Sequence, residues 1–193
     1  WLLGPEALTM ALYLTVFAVV VWRLIDAPTP SRIADITASV FSAIYVPFLA
    51  CFVVLMLREF RSPAVIGVYV AVTCFNDIGG WLVGILFGKH RMAPRLSPKK
   101  SWEGFIGSLA FCIGTGVGGL YLLGATWWWG LIAGVCGCVC ATIGDLTESL
   151  IKREVGLKDM SALIPGHGGV LDRVDSLVMT APVFYVIFLL ALR

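Results

Sequence analysis

Between residues 149 and 175 the chain gathers eight charged side chains and four glycines. The order is Ser149-Leu150-Ile151-Lys152-Arg153, then Lys158-Asp159, then Pro165-Gly166-His167-Gly168-Gly169, then Asp172-Arg173-Val174-Asp175. Lysine and arginine neutralise phosphate oxygens. Glycine lets a backbone approach an anion and present its amides to it. Carboxylates hold hard divalent cations. Together these residue types suit one task, the holding of phosphate groups and a metal ion. The block lies between two apolar segments, so that chemistry would take place at a lipid surface.

Further candidates lie upstream. Asp145, Glu148, Ser149 and Lys152 follow at i, i+3, i+4 and i+7, which places them on one helix face. Glu148 and Lys152 read as a helix-end salt bridge, whereas Asp145 lies deeper in the apolar segment. Asp172 and Asp175 open the last helix three residues apart. Acidic side chains are favourable there in any case, next to the helix N-terminus. His167 reads either as a side chain that orders its loop or as a phosphate contact. Ser97-Pro98-Lys99-Lys100 sets a hydroxyl and two ammonium groups on a rigid turn, in what is otherwise a basic loop. Ser101 is placed to cap the next helix. The stretch from Gly84 to Lys89 is not a Walker A loop, because the spacing is one residue short and His90 replaces Ser or Thr.

These residues are carried by apolar helices. Of 193 residues, 59% are hydrophobic and 13% charged, and the mean hydropathy is +0.93. Soluble domains average about 25% charged residues. A membrane span needs roughly 20 apolar residues. Six segments qualify, at 7–23, 36–57, 63–88, 104–124, 127–151 and 174–192. The expected fold is therefore an all-α polytopic membrane bundle, a single transmembrane catalytic domain over 1–193. No charged segment precedes the first span, which does not read as a signal peptide. The chain starts at Trp1, and further N-terminal helices are expected upstream. Pro47 is expected to kink span two. In span three, Gly80, Gly84 and Gly88 form overlapping GxxxG units that let helices approach closely. Asp77, Trp81, Gly84 and Gly88 share a face, so Asp77 is expected to point into the bundle. Intramembrane carboxylates are costly and often functional.

Alternating spans put loops 1–2, 3–4 and 5–6 on one side. Those loops and the adjoining helix ends hold 11 of the 14 Lys and Arg; Arg58, Arg61 and Arg193 lie opposite. The positive-inside rule assigns the basic loops to the cytoplasm. The net charge of only +2 says little about partners, and no nucleic-acid partner is expected. Cys51, Cys74, Cys112, Cys136, Cys138 and Cys140 all fall within spans. They read as small packing residues, with Cys138 facing away from Cys136 and Cys140.

The order Ser149-x-Ile151-Lys152-Arg153-x4-Lys158-Asp159-x-Ser161-x2-Ile164-Pro165-x-His167-Gly168-Gly169-Val170-x-Asp172-Arg173-Val174-Asp175 resembles the full signature of phosphatidate cytidylyltransferases (CDP-diacylglycerol synthases). A second block resembles the family too: the Asp77 helix followed by Ser97-Pro98-Lys99-Lys100-Ser101-Trp102-Glu103-Gly104, with Ser101 where the family often has Thr. The resemblance covers essentially the whole chain. It implies a magnesium-bearing polar cavity open to the cytoplasm, in a bacterial plasma membrane, and a homodimer. The substrates it implies are CTP and phosphatidate, with Mg²⁺ and room for a second cation.

By motif position the metal ligands carry over to Asp145 and Asp172. Lys152, Arg153, Lys158 and Arg173 become candidate phosphate holders, and Asp159 and His167 belong to the same catalytic block. Ser97, Lys99, Lys100, Ser149 and the Gly168-Gly169 amides are expected to bind substrate. Asp77 and Asp175 are read as supporting carboxylates. Two other readings compete. A CTP-dependent polyprenol kinase would transfer the γ-phosphoryl group and release CDP. An ion-coupled transporter would explain buried Asp77 and Asp145 but not the glycine-rich basic loop. The Asp-Gly-x2-Ala-Arg motif of CDP-alcohol phosphatidyltransferases does not occur.

Overall fold

The computed structural model describes residues 4–26, 32–94, 96–156 and 171–192; the side chains of Arg32, Val155, Leu171, Asp172 and Arg173 lie outside the description. Six helical segments are long and apolar enough to cross a membrane, one for each expected span. The chain divides into two compact units, residues 1–61 and 62–193.

The first unit holds α1 (Gly4–Ile25), α2 (Arg32–Ala43) and α3 (Leu49–Phe60). Between α2 and α3 runs a π-helical segment, Ile44–Phe48, which contains Pro47. Proline has no N–H to donate and its ring crowds the preceding turn. The wider π turn absorbs both, so the expected kink takes the form of a π-bulge within one continuous apolar span, Ile33–Phe60. Arg61 ends α3 in the left-handed conformation at φ 48°, its N–H bonded to the Leu57 carbonyl at 3.1 Å.

The second unit holds α4 (Pro63–Phe87), the strands β1 (Arg91–Ala93) and β2 (Ser97–Ser101), α5 (Trp102–Leu122), α6 (Trp127–Val155) and α7 (Leu171–Ala191). Pro63 starts α4, where a missing N–H costs nothing. The glycine face of α4 packs on a second one in α5. A Cβ on Gly104 would lie 2.9 Å from the Gly80 carbonyl oxygen, and one on Gly107 would lie 2.8 Å from that of Gly79. Any side chain there would force the helices apart, so the close approach read from Gly80 and Gly84 is realised, with Gly79 added to it.

Polar groups tie the remaining helices together. The Tyr69 hydroxyl donates to the Leu177 carbonyl at 2.5 Å, and the Ser176 hydroxyl donates to that of Ala141 at 3.3 Å. Tyr69, Val72, Cys112, Cys138, Phe184 and Phe188 form the core. Cys138 is buried and Cys136 and Cys140 are half-buried, as their spacing requires. All six cysteines are free thiols.

One expectation is corrected. Residues 91–101 do not form a simple turn: β1 and β2 pair antiparallel, with Arg91 opposite Ser101 and Ala93 opposite Ser97. The strand matters for the site, because successive side chains point to opposite faces. Lys99 is exposed whereas Lys100 is turned inward and half-buried. Ser101 then caps α5 as expected, its hydroxyl accepting from the Gly104 N–H at 3.1 Å.

Candidate functional site

Helix α6 carries Asp145 and, one turn later, Glu148. Helix α7 brings Asp175 against them, and oxygens of the three carboxylates lie within 4.8 Å of one another. Gly144 permits this approach, since a Cβ there would fall 3.0 Å from the Asp175 carbonyl oxygen. Glu148 and Asp175 are buried, and Asp175 Oδ2 accepts no hydrogen bond among the described residues. Desolvated carboxylates this close repel one another unless positive charge is near. Two lysines supply some of it: Lys152 pairs with Glu148 at 3.3 Å, and Lys100 reaches from β2 to Asp145. The donor set is all oxygen and drawn from two helices, and it includes an orphaned buried atom. It fits a hard metal ion.

Beside the cluster lies a cavity of about 760 Å³, bounded by α4, α5, α6 and the hairpin. Asp77, Lys100 and Asp145 line its polar part, together with Ser97 and Lys99. Asp77 faces this cavity rather than the packed core, and the amide of the buried Asn76 donates to its Oδ1 at 3.1 Å. The Ser108 hydroxyl in turn donates to the Asn76 carbonyl at 2.5 Å. One and two turns beyond Asp77 on α4 the lining is apolar, with Trp81 67% and Ile85 66% exposed. A second recess of about 200 Å³ lies between β2 and the end of α6, lined by Ser97, Lys99, Ser149, Lys152 and Arg153 among others.

The structure thus brings together Asp77, Ser97, Lys99, Lys100, Asp145, Ser149, Lys152, Arg153 and Asp175 around two adjoining cavities and one acidic cluster. Asp175 is one of the three carboxylates of the cluster. Asp172 and Arg173 fall in the first turn of α7, and their side chains lie outside the description. Lys158, Asp159, His167, Gly168 and Gly169 lie outside the described residues.

Glu148 lies deeper than a helix-end salt bridge requires. Its pair with Lys152 exists, but the carboxylate is buried, not at the surface. The available signal was its position one turn from Asp145, on the same face of a membrane helix.

A clasp holds the hairpin in place. Both Glu103 oxygens accept from the His90 N–H at 3.2 Å, and Glu103 Oε1 also meets His90 Nδ1 at 2.7 Å. The Trp102 N–H donates to the His90 carbonyl at 3.0 Å. The start of the hairpin is thereby fixed to the start of α5, and with it the lysines of β2. We predict that His90→Ala speeds hydrogen exchange at amides 91–101 roughly severalfold, in keeping with the modest net worth of one hydrogen bond. His90→Asn should restore protection, because its side-chain amide can donate from the position of Nδ1. Equal exchange in wild type and His90→Ala would show that the clasp does not hold the hairpin.

Six helices of spanning length and a carboxylate cluster able to hold a metal ion define a polytopic integral membrane protein. The chain belongs to the cytidylyltransferase family, whose model matches residues 2–191. It is similar to the phosphatidate cytidylyltransferase of Mycobacterium tuberculosis strain H37Rv, 43% identical over 167 residues, covering 85% of this chain and 51% of the relative. The phosphatidate cytidylyltransferase of Mycobacterium leprae is 36% identical over 202 residues, covering 95% and 65%. That of Haemophilus influenzae is 39% identical over 155 residues, covering 72% and 52%. The chain spans about half to two thirds of the length of these relatives.

Proposed function

We propose that this chain carries the catalytic site of a phosphatidate cytidylyltransferase, which joins CTP to phosphatidate and gives CDP-diacylglycerol and pyrophosphate. The observation that carries the reading is the meeting of an acidic cluster with a lysine-bearing hairpin, beside a cavity with an apolar side, in a chain 43% identical to a protein of that name. The nucleophile in such a reaction is a phosphate monoester with a second pKa of about 6, already anionic at neutral pH. No strong general base is needed.

The obstacle is repulsion between that anion and the triphosphate. Asp145, Glu148 and Asp175, with Asp172 by motif position, would hold Mg²⁺. When bound, Mg²⁺ supplies Lewis-acid charge to phosphate oxygens, and a second cation would add to it. Lys99, Lys100, Lys152 and Arg153 offset the remaining negative charge and orient the phosphates. Lys158, Asp159, His167, Gly168, Gly169 and Arg173 remain part of the proposed site by motif position. Trp81 and Ile85 line the side from which a lipid can present its headgroup while its tails stay in hydrocarbon.

The reaction is tested by supplying labelled CTP, phosphatidate and Mg²⁺ to the full-length protein and identifying both products. CDP-diacylglycerol and pyrophosphate are expected, and pyrophosphate should drive the reverse reaction. Primary release of CDP would instead indicate a lipid kinase. Substrate flux in proteoliposomes without CTP would indicate a transporter.

We further propose that the site faces the cytoplasm of a bacterial plasma membrane, supported by the 11-to-3 distribution of Lys and Arg. A cysteine placed at Ala93, in a background lacking native thiols, should resist impermeant reagents added to intact cells. Ready labelling from outside would reverse the orientation. The single catalytic domain and the homodimer follow from the family resemblance. The mass of the detergent-solubilised particle tests the dimer.

A further inference from the structure

The two cavities differ in chemistry as well as in size. The larger, at about 760 Å³, is lined by the carboxylates of Asp77 and Asp145, the cations Arg91, Lys99 and Lys100, and exposed Trp81 and Ile85. The smaller, at about 200 Å³, presents the cations Lys99, Lys152 and Arg153 and the hydroxyls Ser97 and Ser149, with no carboxylate among the described lining residues. A water takes up about 30 Å³ of liquid, so the smaller recess holds roughly six or seven. That is room for the few heavy atoms of a diphosphate. Its three cationic side chains match the charge of a diphosphate.

The recess is also wired to the chemistry. Ser97 and Lys99 line both cavities, and Lys152 reaches from the smaller one to Glu148 of the acidic cluster at 3.3 Å. Asp145 of the same cluster lines the larger cavity.

We infer that the smaller recess is a diphosphate subsite, which takes the β- and γ-phosphates of the nucleotide while the larger cavity takes the lipid phosphate. This rests on the cytidylyltransferase reading above. With the β- and γ-phosphates in the recess, the α-phosphorus sits at the wall formed by Ser97 and Lys99, next to the acidic cluster. An oxygen of the lipid phosphate bonds to that phosphorus. The bond from the α-phosphorus to the oxygen bridging it to the β-phosphorus breaks, and the electron pair leaves with the diphosphate. The leaving group is thus already seated among Lys99, Lys152 and Arg153, which hold the charge it gains. No proton transfer is required, because both the attacking and the leaving oxygens are anionic at neutral pH.

The test uses the full-length protein in detergent with Mg²⁺ and inorganic pyrophosphate alone as the probe, followed by steady-state kinetics. Arg153→Gln and Ser149→Ala should each weaken pyrophosphate binding, Arg153→Gln by about tenfold or more. Each should raise the KM for CTP in step and leave the KM for phosphatidate unchanged. Arg153→Lys should recover part of the affinity, which a folding defect would not allow. Trp81→Ala should raise the KM for phosphatidate without changing pyrophosphate binding. Wild-type pyrophosphate affinity in Arg153→Gln, or a raised KM for phosphatidate in its place, overturns the subsite. Failure of the underlying reading looks different: pyrophosphate would still bind through Arg153, but labelled CTP would yield no CDP-diacylglycerol.

Discussion

Asp145→Asn is expected to lower turnover by about 10²- to 10³-fold, the range for removing one preorganised electrostatic group from a site, while leaving the protein folded. Asp145 sits where the acidic cluster meets the larger cavity, and Lys100 reaches it from β2. An amide oxygen is a weaker ligand for a hard cation and lacks the balancing charge. The variant should therefore need more Mg²⁺ for the activity it retains. Its fold should survive, because the change removes one of three mutually repelling carboxylates. Thermal unfolding in the presence of a chelator should show a midpoint equal to or above that of the wild type. Near-normal activity of Asp145→Asn at limiting Mg²⁺ would remove Asp145 from the metal site.

Glu148→Gln is expected to cost about 10- to 100-fold in metal affinity or activity, the range for residues that ligate a metal or orient its ligands. A solvent-exposed Glu-Lys pair would contribute only about 0–1 kcal/mol, and its loss would barely register. Glu148 is not such a pair: its side chain is 4% exposed and its oxygens adjoin those of Asp145 and Asp175. Substitution removes cluster charge beside Lys152, 19% exposed, at the edge of the smaller recess. A metal titration of activity separates the two cases. A Glu148→Gln enzyme within twofold of wild type at every Mg²⁺ concentration would return the residue to the role of a helix-end ion pair.

The six spans, the Ser101 cap and the close-packed glycine face of α4 were legible in the sequence because each rests on local information. Hydropathy over twenty residues, a hydroxyl at a helix start and a four-residue glycine repeat each report one element at a time. The π-bulge at Pro47 was less so: proline announces a broken hydrogen bond but not how the helix absorbs it. The hairpin was missed for a similar reason. Residues 91–101 are short, polar and rich in proline, and their strand pairing is settled by the His90–Glu103 clasp and the packing of α5.

By itself the sequence determined that this is a polytopic helical membrane protein, that its carboxylates and cations gather in two blocks, and that those blocks resemble one enzyme family. Only the tertiary structure decided which carboxylates meet. Asp145 and Glu148 are one turn apart on α6, but Asp175 is 27 residues beyond Glu148 and arrives because Gly144 lets α7 come close. Likewise Lys99 and Lys100 are chain neighbours with equal claims on a phosphate. The strand turns Lys100 inward to Asp145 and leaves Lys99 exposed on the wall shared by the two cavities, since adjacent side chains on a strand face opposite ways.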